Sequence, residues 1–154
     1  MNSVSKMTDK KRTLIFINIL IACIASSMLA TALTTALLPI STDLNISVTT
    51  GQWLTSGYAL AMGIIMPLTA FLITKFPTRK LYLSGIGIFI IGLLISGVAT
   101  SFPFMMIGRI LQACGNGILM SISQVVILSI YPAEKKGTIM GWYGLALSLI
   151  HIRR

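Results

Sequence analysis

The stretch QWLTSGYALAMGIIMPLTAFLITKFPTRK, residues 52–80, decides the class of this chain. Residues 52–74 carry no charge, and at 1.5 Å per residue a helix of that length extends about 35 Å, enough to cross a hydrocarbon core of about 30 Å. The run stops in the basic turn KFPTRK, after which LYLSGIGIFIIGLLISGVA, residues 81–99, resumes without a charge. Two uncharged spans joined by so short a link are antiparallel neighbours.

The same pattern repeats on both sides. Residues 14–38 form an uncharged first span, followed by PISTDLNISVTTG, a polar connector opened by Pro39 with Asp43 as its only charge. Beyond the hairpin TSFPF a further span runs over about 105–130 and is broken off by the basic loop YPAEKKG. A fifth apolar run starts near Thr138 and continues to the end of the sequence. Trp53 and Tyr58 suit the interfacial end of the 52–74 helix. Pro67 inside it removes one backbone donor, so a kink is expected there.

Composition agrees with this pattern. The 154 residues are 55% hydrophobic and 10% charged, with mean hydropathy +0.91. A domain of that size has too much surface to hide so much apolar material in water. The fold class is therefore all-α integral membrane, with the lipid bilayer as first partner. The net charge of +9 would suggest nucleic acid in a soluble chain. Here the basic residues sit in clusters between apolar runs, which is a topology pattern and excludes a nucleic-acid partner. Lys6, Lys10, Lys11 and Arg12, then Lys75, Arg79 and Lys80, then Lys135 and Lys136 all fall on one side, and the alternate loops have no Lys or Arg. That places the N-terminus in the cytoplasm and makes the chain a multi-pass protein of the cell membrane. The N-terminal MNSVSKMTDKKRT resembles a signal n-region, but the following run is too long and lacks a cleavage site, so residues 1–13 read as a cytoplasmic tail before a retained span.

Few groups here can do chemistry. Cys23 and Cys114 lie in apolar runs without C-x-x-C spacing, which indicates packing rather than a metal or a disulfide. One His and three acids, none clustered, are too few for acid-base or metal catalysis. No cofactor and no metal are expected.

Arg109 is the charged residue within an otherwise apolar span. Inserting a guanidinium there costs a few kcal/mol, on the order of 3, so it reads as a functional group facing a cavity or a partner. The alternative is that it snorkels to the headgroups from near the helix end. Gln112 and Asn116 share its face at three and seven residues on, and Gly108, Gly115 and Gly117 leave room beside it. Ser27, Thr31, Thr34 and Thr35 form a weaker polar face on the first helix, either cavity lining or hydroxyls bonded back to their own helix. Gln124 needs a partner, either another helix or a substrate. Small residues four apart, at Ser26, Ala30 and Thr34, at Gly57 and Ala61, and at Ala113, Gly117 and Ser121, smooth several faces for close helix approach.

These residues carry a resemblance. RILQACGNG, residues 109–117, looks like the R-x-x-Q-G-x-G-x-G motif of the major facilitator superfamily, and PAEKKGTIMGWYG, residues 132–144, resembles the P-x-E-K-R-G-x-A-M-G segment of its drug:proton antiporters. TALTTALLPISTDLNISVTTGQWLTSGYAL, residues 31–60, is similar to the first two helices of the fourteen-helix EmrB/QacA-type branch, lincomycin-resistance-like members in particular. The likeness covers the chain to about residue 147.

The resemblance implies a secondary transporter whose helix bundles rock around a midplane site. On that resemblance it would export amphipathic drugs or other small molecules, with the proton gradient as energy source and no cofactor. Arg109, Gln112 and Asn116 would serve proton coupling and line a cavity, since a fixed cation favours the ionised form of a nearby carboxylate. Thr31, Thr34, Thr35, Trp53, Tyr58 and Gln124 are candidates for the substrate cavity. Lys75, Arg79 and Lys80 would form the cytoplasmic gating loop.

The departures matter. In AFLITKFPTRK, residues 70–80, Ala70, Thr74 and Pro77 stand where the superfamily has Gly, Asp and Gly, so the acidic gating partner is absent. Ala30 stands where the branch often has Asp. The antiporter signature G-x-x-x-G-P-x-x-G-G is not present in the fifth run. Uptake of another solute therefore stays open, as does a small non-transporting membrane subunit or scaffold.

Residues 14–146 are expected to form four full spans and the start of a fifth, the N-terminal part of a bundle whose remainder would be its partner. Alone, such a part should not transport. The ending LSLIHIRR, residues 147–154, resembles none of the family's fifth helix. Codons CTG TCT CTT ATA CAC ATC would give Leu-Ser-Leu-Ile-His-Ile, a transposase mosaic end used in sequencing libraries, so residues 147–154 are expected to be an adapter-derived tail. A divergent helix is the alternative. On the first reading His151 is no proton carrier.

Overall fold

Each long helix grows from an uncharged run and begins ahead of it, because backbone hydrogen bonding does not wait for apolarity. The structure, a computed structural model, describes residues 9–131 and 133–151. Helix α1 spans Asp9–Thr35, α2 Leu37–Asp43, α3 Val48–Lys75, α4 Thr78–Gly97, α5 Phe102–Ile130 and α6 Ala133–His151. Among the described residues, α3, α4, α5 and the Thr13–Thr35 part of α1 are long and apolar enough to cross a membrane.

Most boundaries differ from the sequence reading: α3 begins at Val48, α5 at Phe102 and α6 at Ala133, each ahead of the expected span, so that most of YPAEKKG is helical, and α1 and α4 stop at Thr35 and Gly97, short of it. Helix α1 begins at Asp9, inside the expected tail, because Asp9, Lys10, Lys11 and Arg12 continue the helical backbone ahead of the apolar run. The connector opened by Pro39 is helical at both ends, 39–43 in α2 and 48–51 in α3. Pro39 is the third residue of α2, where its missing N–H falls among the first-turn donors that have no intrahelical acceptor. That first turn separates α2 from α1 at Ala36.

Helix α2 ends in a Schellman turn. The Ile46 N–H donates to the Ser41 carbonyl (2.9 Å) and the Asn45 N–H to the Thr42 carbonyl (3.1 Å), with Asn45 in the left-handed region at φ 56°. Ser47 then caps α3: its backbone is extended, and its Oγ accepts from the Thr50 N–H at 3.1 Å. Helix α3 runs unbroken through Pro67. It stops at Phe76, whose extended backbone (φ −118°, ψ 147°) is what the following Pro77 requires.

The chain divides into two compact units, Met1–Ala30 with Ser123–Arg154, and Thr31–Ile122. In the first, Ile19, Ile127 and Tyr143 form a buried core, flanked by Phe16, Val126 and Tyr131. Phe16 and Tyr131 meet edge to face with centroids 6.1 Å apart.

In the second unit α5 is the inner helix: 56% of its most apolar stretch is buried, against 11% for α3 and 17% for α4. Helices α4 and α5 touch backbone to backbone. A Cβ on Gly92 would stand 2.6 Å from the Gln112 nitrogen and 2.7 Å from the Gly108 carbonyl oxygen, and one on Gly115 would stand 2.6 Å from the Gly85 carbonyl oxygen. Against α3 the approach is looser and runs through side chains, with Gly117 beside Ile65 and Gly57 beside Met106.

The side chains of Cys23, Ser27 and Ala30 lie outside the described residues, as do those of Lys11, Arg12, His151, Arg153 and Arg154. So does all of Lys6. Within the expected tail, residues 147–151 continue α6 and residues 152–154 are not described.

Candidate functional site

The polar face of α5 is fastened to both neighbouring helices of its unit. Arg109, Gln112 and Asn116 recur at helical spacing, and the glycines around them bring α4 close enough for short side chains and carbonyls to reach. All three are buried, with 2%, 2% and 6% of their surface exposed.

Arg109 Nη1 donates to Gln112 Oε1 at 2.8 Å, and its Nε lies 3.4 Å from the Leu54 carbonyl of α3. Gln112 passes the chain of bonds to α4, its Nε2 donating to Ser96 Oγ at 2.9 Å and to the Gly92 carbonyl at 3.2 Å. Asn116 Nδ2 donates to Tyr58 Oη at 2.8 Å and reaches Met62 Sδ at 3.7 Å. The Arg109 guanidinium carbon stands 4.2 Å from the centroid of the Tyr58 ring. Leu54, Tyr58 and Met62 are one turn apart on α3, so a single stripe of that helix meets the polar face of α5.

The candidate spans contain no Asp or Glu. The guanidinium is therefore held by neutral groups: an amide oxygen, a backbone carbonyl and an aromatic face. A buried cation without a counter-ion is costly unless hydrogen bonds replace its hydration. This network supplies such bonds and leaves the positive charge uncompensated inside the unit.

The other candidates are placed differently. Tyr58 joins the network. Trp53, 59% exposed, does not face into it. Thr31, Thr34 and Thr35 are exposed on the last turn of α1, where Thr35 Oγ1 donates back to the Thr31 carbonyl at 3.3 Å. Gln124 is exposed on α5 in the other unit. Lys75, Arg79 and Lys80 are exposed at the α3–α4 turn, with Lys75 Nζ 4.9 Å from the Phe71 ring centroid. Lys75 lies 21 residues along α3 from Leu54, about 30 Å, so the basic turn and the network are separate places.

Sequence reasoning missed Ser96, Met62 and the carbonyls of Leu54 and Gly92. Gly92 and Ser96 are a small pair four residues apart, a signal that could have marked the α4 face; a backbone carbonyl leaves no signal in a sequence. Among the described residues no three His, Cys, Asp or Glu gather where they could hold a metal ion.

A sequence model described as Major Facilitator Superfamily matches residues 15–151. The chain belongs to that superfamily. It is a multi-pass membrane protein, the N-terminal part of a major-facilitator bundle. It is 43% identical over 134 residues to the MFS-type transporter YhcA of Bacillus subtilis, covering 84% of this chain and 25% of that protein. It is 39% identical over 133 residues to the lincomycin resistance protein LmrB of the same organism, covering 86% and 28%. The multidrug export protein EmrB of Haemophilus influenzae is 28% identical over 108 residues, covering 70% and 21%. The chain thus spans about a quarter of the length of the curated relatives it matches. No solved structure matches it.

Proposed function

We propose that this chain is the first part of a proton-coupled exporter of amphipathic drugs or similar small molecules in the cell membrane, with its N-terminus in the cytoplasm. One observation carries the reading: a buried arginine, wired to α3 and α4 and without a carboxylate in the surrounding spans. Such a fixed charge acts on any carboxylate or substrate brought near it, favouring the ionised acid and making proton release depend on what else occupies the site. The names of the relatives, lincomycin resistance and multidrug export, support drugs as the substrate class. The clusters Lys75, Arg79, Lys80 and Lys135, Lys136 support the orientation.

The test is Arg109→Ala in the full-length protein, reconstituted in proteoliposomes. The expected result is retained insertion with drug-driven proton exchange lost. Exchange at the wild-type rate would overturn the role of Arg109, and drug entry driven by the same gradient would establish uptake in place of export.

A further inference from the structure

We infer that Tyr58 is a positioning residue for Arg109, and that its ring, rather than its hydroxyl, holds the guanidinium in place. This rests on the proton-coupling role proposed for Arg109 and says which group fixes that cation.

An arginine side chain has many rotamers, and a carboxylate fork usually selects one of them. No carboxylate is present in these spans. The two hydrogen bonds found, to Gln112 Oε1 and to the Leu54 carbonyl, are made by N–H groups at the edge of the guanidinium. Neither covers a face of the guanidinium plane. The guanidinium carbon stands over the Tyr58 ring, 4.2 Å from its centroid, so the ring holds the cation from a direction the two hydrogen bonds leave to it. A cation over an aromatic face gains most where water is excluded, and here Arg109 is 2% and Tyr58 7% exposed.

The ring is itself held. Asn116 donates to Tyr58 Oη, and Asn116 lies on the same face of α5 as Arg109, seven residues on. Arg109, Tyr58 and Asn116 thus close a loop in which α5 fixes the ring at its hydroxyl end and the ring fixes the cation. The hydroxyl accepts from Asn116, and the ring face is the part of Tyr58 that meets the charge. With 7% of its surface exposed, Tyr58 meets Arg109 with its ring and Asn116 with its hydroxyl.

Four variants of the full-length protein test this: Tyr58→Leu, Tyr58→Phe, Arg109→Ala, and Tyr58→Leu combined with Arg109→Ala. Drug-driven proton exchange is measured across pH in proteoliposomes, and Tm in detergent. Tyr58→Leu should slow exchange roughly tenfold and displace its pH profile, and Tyr58→Phe should restore most of the rate and the wild-type profile. In the Arg109→Ala background, Tyr58→Leu should lower Tm by less than it does alone, the signature of two groups acting as one. Equal loss in Phe and Leu would move the role to the hydroxyl and overturn the inference. Wild-type exchange in Tyr58→Leu, or additive Tm losses, would also overturn it. Should Arg109→Ala exchange protons at the wild-type rate, the coupling reading fails by itself, and the Tm cycle alone decides whether the ring holds the cation.

Discussion

Gln112 sits at the junction of the buried network, taking a hydrogen bond from Arg109 and giving two to α4. Gln112→Leu keeps its approximate volume and removes all three. It leaves the guanidinium, 2% exposed, short of its best acceptor, a change of about 1–3 kcal/mol. A correspondingly lower thermal unfolding midpoint in detergent is expected, and an unchanged midpoint would show that another group takes over the bond. The polar face itself was legible in the sequence, because spacings of three and seven align side chains on any helix and few polar residues interrupt this span. Its surroundings were not. Which helix meets that face depends on packing, and two of the acceptors are backbone carbonyls present at every position. The exposure of Trp53, Thr34 and Gln124 was illegible for the same reason: hydropathy marks a span and does not say which side of it a neighbour covers.

Helices α4 and α5 are held by the absence of side chains. A methyl group on Gly115 would press on the Gly85 carbonyl oxygen and on the Phe89 nitrogen, 2.6 and 2.7 Å away, and backbone atoms cannot rotate aside as a rotamer can. Gly115→Ala should therefore destabilise by about 1–3 kcal/mol through overpacking, read as a lower unfolding midpoint. A midpoint equal to that of the unsubstituted protein would contradict the close contact. The sequence marked Gly108 and Gly115 as room beside Arg109, which is correct in position, but the room is filled by the α4 backbone. The element boundaries show the same limit. Uncharged runs fixed where helices cross, whereas α2 was hidden because Pro39 reads as a breaker until its place in a first turn is known.

Across the whole molecule the basic residues separate the helix ends into two kinds. Lys75, Arg79 and Lys80 mark the α3–α4 turn and Lys135 and Lys136 the start of α6, whereas Thr100 and Ser101 between α4 and α5 are uncharged. With Cys23 and Cys114 replaced by serine, Thr100→Cys should react with a membrane-impermeant maleimide in intact cells, and Arg79→Cys only after lysis. The reverse pattern would invert the proposed orientation.

The two seams of α5 in the Thr31–Ile122 unit also differ mechanically. The α4 seam brings backbone against backbone at Gly92, Gly108 and Gly115, where no rotamer change can open space. The α3 seam is lined by Met62, Ile65 and Met106, and unbranched methionines can exchange rotamers without opening a void. The first behaves as a weld and the second as a slip plane. Strain reaching this unit should therefore be relieved first along α3, where Tyr58 and Arg109 stand across the plane.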